Sequence, residues 1–85
     1  MEEILQNITN CEGQVFHTIK GKAFSYKVIG LTIQIVGNKP YPISFTNIAN
    51  AWNVGQVPGP GAYPPNIVGP SYVWALLNDA RINVW

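Results

Sequence analysis

The stretch GPSYVWALLNDARINVW, Gly69 to Trp85, constrains the fold of this 85-residue chain more than any other. Its Gly-Pro start puts proline at the first helical position, where the missing N–H is not needed, and Tyr72 to Leu77 follow with no polar interruption. A helix that is apolar all round has to be buried all round. The spacing therefore predicts a central helix from about Pro70 to Asp79 that the other segments cover, followed by a short alternating strand over Ile82–Trp85.

What covers it must come from a small chain, so a single domain over residues 1–85 is expected, with no room for a separate substrate domain. The residues are 47% hydrophobic and only 11% charged, a globular composition that leaves few charges for the surface and implies an uncharged, adhesive face. The net charge of +1 gives no overall pull toward nucleic acid or an acidic membrane, so any electrostatic partner must meet a local patch. A lone cysteine, Cys11, excludes an internal disulfide and a thiolate zinc site and fits a reducing setting. Met1-Glu2-Glu3 lacks the basic start of a secretion signal, and no apolar run reaches membrane-spanning length. A soluble cytoplasmic protein is expected, and the glycosylation pattern Asn7-Ile8-Thr9 reads as coincidence.

Upstream of the central helix the hydrophobic period changes twice. Ile4, Leu5 and Ile8 have helical spacing, with Glu2 and Glu3 at the end where the helix dipole favours negative charge. From Gln14 the period is two, and Gly21, Gly30 and Gly37 divide three predicted strands, Gln14–Lys20, Ala23–Ile29 and Leu31–Val36. Such short connections impose an antiparallel meander. Alternation assigns Val15, His17, Ile19, Phe24, Tyr26, Val28, Leu31, Ile33 and Ile35 to the core face, and Phe16, Thr18, Lys20, Ser25, Lys27, Thr32 and Gln34 to solvent. A second helix is signalled after Pro42 by Ser44 as N-cap, by the stripe Phe45, Ile48, Ala49 and Trp52, and by an Ile43–Ile48 staple, with Gly55 ending it. Four glycines and four prolines between Gly55 and Gly69 predict a long loop with no regular element, a length that in small domains goes with function or mobility.

The catalytic inventory is thin. One His, one Cys, one Asp and glutamates at positions 2, 3 and 12 match no local catalytic motif. His17 reads as a core-facing or edge residue and Cys11 as a small hydrophobe, while Asp79 and Arg81 read as helix-end groups paired with each other or with nearby backbone. No metal and no cofactor is motivated, and Gly59-Pro60-Gly61 lacks an amide that a phosphate loop needs.

Two surfaces remain. Lys20, Lys22 and Lys27, with Phe16 as an aromatic platform, give the solvent face of the sheet the character of a single-strand nucleic-acid binder. The loop offers Tyr63, Pro64 and Pro65, joined by Trp85, as pre-extended and aromatic groups suited to a protein partner or a second copy of the chain. The sequence thus predicts an α+β domain: a short N-terminal helix, a three-stranded antiparallel meander, and two helices on one sheet face. Its expected role is a non-enzymatic binding module, with the protein partner as the first reading and nucleic acid as the alternative.

Overall fold

A computed structural model describes all of residues 1–85. In chain order the elements are α1 (Glu2–Asn10), β1 (Phe16–His17), β2 (Ala23–Phe24), β3 (Tyr26–Ile29), β4 (Thr32–Ile35), β5 (Tyr41–Ser44), α2 (Phe45–Val54), a 3-10 turn (Pro60–Ala62) and α3 (Pro70–Leu77). The class is α+β, as expected, with an antiparallel hairpin β1–β2 beside an antiparallel meander β3–β4–β5. No helix is long and apolar enough to cross a membrane.

The meander sits one strand further along the chain than the hydrophobic alternation predicts. Its third strand is Tyr41–Ser44, which Pro40 and Pro42 mark as a linker in the sequence. The register explains why Pro42 is tolerated. Phe45 N–H donates to Leu31 O, and β4 pairs Ile33 with Ile43 and Ile35 with Tyr41. Hydrogen-bonded pairs recur every second residue, so Pro42 falls between them and its nitrogen faces outward on an edge strand.

The opposite edge is closed differently. On β3, Tyr26 and Val28 turn their backbone groups away from β4, and the turn after α1 meets both. Gly13 N–H donates to Tyr26 O (3.1 Å), and Val28 N–H donates to the Glu12 carboxylate (2.6 Å). The β3 edge is thus engaged, and on the β5 edge Pro42 interrupts the run of N–H donors.

The first strand is short and inverted relative to its predicted faces. Phe16 is fully buried, whereas Val15, His17 and Ile19 are exposed. Phe16 lies directly opposite Phe24, so the two rings share a face, and Phe16 also stacks on Tyr26 with centroids 5.7 Å apart. Alternation permits either register here, and burying three aromatic rings outweighs burying one valine and one isoleucine. Beyond His17 the chain turns at once: Thr18 Oγ1 accepts from Lys22 N–H, and Gly21 takes a positive φ. Leu31, also predicted inward, occupies the tip of the β3–β4 turn and is 78% exposed.

Helix α1 buries Ile4 and Ile8, and the Tyr26 hydroxyl donates to Ile8 O at 2.6 Å, tying helix to sheet. Helix α2 starts as predicted, with Ser44 Oγ accepting from Asn47 N–H (3.0 Å) and Ile43 and Ile48 both buried. Asn47 lies outside the apolar stripe of α2 but does not face solvent. It is buried and exchanges two 2.8 Å hydrogen bonds with the backbone of Val68.

The Gly55–Gly69 segment is therefore folded against its own domain. It contains the 3-10 turn and buries Tyr63 and Ile67, and Val57 O accepts from Trp74 Nε1 (3.0 Å). Helix α3 follows from Gly69, which adopts the left-handed conformation at φ 60°. A Cβ on Gly69 would lie 2.7 Å from Ile43 Cδ1 and 3.1 Å from Tyr41 Cε1, so only glycine fits. Val73, Ala75, Leu76 and Leu77 are buried, and Tyr72 and Trp74 are half-buried at the helix flanks. No strand forms after it. Ile82 and Asn83 N–H both donate back to Asp79 O, and Ile82 O accepts from Asn7 Nδ2, so a turn with side-chain support takes up the groups a ladder needs.

Candidate functional site

The predicted loop site loses its aromatic anchor. Tyr63 points inward and is 8% exposed, its hydroxyl without a partner, while Pro64, Pro65 and Trp85 remain at the surface. Burial pushes the Tyr63 phenol above its ordinary pKa.

The predicted sheet-face site is also rearranged. Phe16 is removed from it by burial, and its ring is capped by the Arg81 guanidinium 3.9 Å from the centroid. Arg81 also donates to both carboxylate oxygens of Asp79 (2.9 Å each), to Gln14 Oε1 and to Val15 O. The Arg81 hydrogen bond holds the Asp79 carboxyl below the usual carboxylate range. This cluster ties the turn after α3 to the β1 hairpin, which makes Arg81 a structural cation.

The lysines, in contrast, are all exposed and come together along one path. Three depressions share walls around the hairpin tip and the β4–β5 turn. The first, about 170 Å³, is lined by Lys27 and Gln34, which face each other across β3 and β4. It shares Ile35, Val36 and Gly37 with a second, about 410 Å³, that holds Lys22, Lys39, Tyr41 and Tyr72. That one shares Lys22 and Tyr72 with a third, about 550 Å³, lined by Thr18, Lys20 and Ser71. No carboxylate lines any of the three. Glu2 and Glu3 line other depressions, Glu12 is engaged on β3, and Asp79 is engaged by Arg81.

Aromatic rings follow the same path. Buried Phe24 meets Tyr72 edge to face at 5.0 Å, and Tyr72 meets Tyr41 at 5.8 Å. Tyr41 belongs to the row Tyr26, Ile35, Tyr41 on the covered face of the sheet, but at the end of that row on an edge strand it is 40% exposed. Lys20, Lys22 and Lys39 thus gather around Tyr41 and Tyr72, whereas Lys27 lies on the opposite sheet face from Tyr41 and reaches them only around the β4–β5 turn, not on one strand face with Lys20 as the sequence predicts.

Lys39 is one of the four lysines that the sequence places in the strand region, but neither tyrosine stands out there as a site residue. Tyr41 was hidden by its flanking prolines, and Tyr72 by the apolar run it begins. A signal was present: a tyrosine in the first turn of a helix opened by Gly-Pro stands at the helix end, where one side stays open. His17 is exposed on β1 and Cys11 is buried beside α1. No set of three His, Cys, Asp or Glu side chains is grouped for a metal ion. No family model, no curated protein and no solved structure matches this chain.

Proposed function

We propose that this chain is a non-enzymatic module that binds single-stranded nucleic acid along the path of Lys20, Lys22, Lys39 and Lys27. The supporting observation is the spatial sorting of charge: four exposed lysines line three adjoining depressions that contain no carboxylate, in a protein whose net charge is only +1. Lysine ammonium groups suit phosphates, the Thr18 and Ser71 hydroxyls suit phosphate or sugar oxygens, and exposed rings suit bases. Two observations weigh against a protein partner at the loop. Tyr63, the natural anchor, is buried, and the loop is bonded to its own domain through Asn47 and Trp74.

Amide chemical-shift mapping tests the proposal. The probe is a mixed-sequence DNA strand of roughly 12 nucleotides, within the site sizes of single-strand binders, at low salt. Shifts are expected at Thr18, Lys20, Lys22, Lys39, Tyr41 and Tyr72. An unmoved spectrum, or shifts confined to the loop and C-terminal amides of Tyr63, Asn66 and Trp85, would overturn it.

A further inference from the structure

Resting on that reading of the groove, we infer that Tyr41, backed by the Tyr72 ring inclined 53° to it, forms a preformed shelf for the face of an unpaired base, between Lys22 and Lys39 as contacts for the flanking phosphates. The groove therefore reads the presence of a base and not only of a polyanion.

The shelf is rigid from below. Tyr72 is held edge to face at 5.0 Å by Phe24, which is buried, and Phe24 in turn packs with Phe16 at 6.0 Å. Tyr41 is held from the side. Its ring passes over Gly69 so closely that a Cβ there would approach Cε1 to 3.1 Å, and its backbone is paired to Ile35. A ring fixed by its neighbours yet 40% exposed loses little side-chain entropy when a ligand covers it. The surrounding depression of about 410 Å³ lies within the range of small-molecule sites, roughly 300–1,000 Å³. Lys22 and Lys39, from the β1–β2 turn and the β4–β5 turn, belong to its walls together with both tyrosines. Cations beside a ring plane are what a nucleotide requires, whereas a free inorganic anion has no use for the rings.

Equilibrium fluorescence anisotropy with two labelled strands of equal length and charge separates the base from the backbone. One strand is oligothymidine and the other an abasic deoxyribose-phosphate chain. The wild-type protein is expected to prefer the base-bearing strand by about fivefold or more, the lower end of what stacking one base contributes. Tyr41→Ala should bring that ratio close to one while leaving abasic binding intact, and Tyr41→Phe should keep the preference. Upfield shifts of the Tyr41 ring protons with oligothymidine, absent with the abasic strand, provide a readout independent of affinity. If both strands bind equally and Tyr41→Ala changes neither, the shelf is wrong while nucleic-acid binding stands. If neither strand binds at low salt, the proposed function fails and the shelf with it.

Discussion

Two buried phenols show how the same side chain takes opposite energetic signs. The Tyr26 hydroxyl donates to Ile8 O at 2.6 Å, whereas the Tyr63 hydroxyl is enclosed with no partner. Tyr26→Phe should therefore destabilise by about 1–2 kcal/mol, because it strands a carbonyl of α1, while Tyr63→Phe should stabilise by about 1 kcal/mol. Urea midpoints measure both; a lower midpoint for Tyr63→Phe would show that its hydroxyl is satisfied by a buried water. Burial pushes both phenols above the ordinary tyrosine pKa, Tyr26 most strongly. Their stabilising contribution is complete below the unfolded value of about 10 and is lost as pH rises, since the unfolded chain releases these protons first. Alkaline titration should accordingly show a loss of stability above about pH 10 that shrinks in the Tyr26→Phe variant. Strand alternation marks Tyr26 as core-facing, but nothing in the sequence shows that Tyr63 is buried or which hydroxyl finds a partner, because that depends on what another element offers.

At the scale of elements, local signals were legible and pairings between segments were not. Ser44, Gly55 and Gly69-Pro70 set helix boundaries through contacts within a few residues, and the structure has α2 and α3 starting at those positions. The strand over Tyr41–Ser44 escaped because its warrant is the register with β4, which turns Pro42 outward. The face of β1 was misread for a related reason: Phe24, Tyr26 and Arg81 decide it, all distant in sequence or beyond a turn. The Arg81 cluster gives this a measurable form. Arg81→Ala should cost about 1 kcal/mol near neutral pH, a value kept small by the solvent exposure of the pair. Asp79 has a lowered folded pKa through its Arg81 hydrogen bond, so its contribution is present above the unfolded value of about 3.9 and lost as pH falls through the folded value. The acid limb of stability should be shallower in Arg81→Ala. An unchanged limb would place the acid sensitivity elsewhere. Asn47 makes a second such clamp, and Asn47→Ala should cost about 1–3 kcal/mol in urea titration by freeing both backbone groups of Val68.

For the molecule as a whole, the decisive property is where charge is left unneutralised. In sequence the lysines merely precede the loop and follow the glutamates; the fold spaces Lys27, Lys39, Lys22 and Lys20 along adjoining depressions that pass around the β4–β5 turn and holds Arg81 on Asp79 away from them. The partial legibility of the site follows from this: a cluster of like charges is visible in sequence, but the rings between them come from β5 and α3, brought together only by tertiary packing. Four phosphate contacts set a ceiling on salt dependence. With a single strand each neutralised phosphate contributes a slope of about −0.7, so log affinity against log salt should be no steeper than roughly −3, an approximately fiftyfold loss between 50 and 200 mM. Lys39→Gln should make the slope shallower by roughly 0.7 without altering its linearity. Glu2→Gln, on a different depression, should change the net charge by one unit in the opposite direction and leave the slope alone. Slope changes of equal size and opposite sign would mean that the protein responds to nucleic acid through its total charge, and the path through Lys22, Tyr72 and Lys39 would lose its claim to be a site.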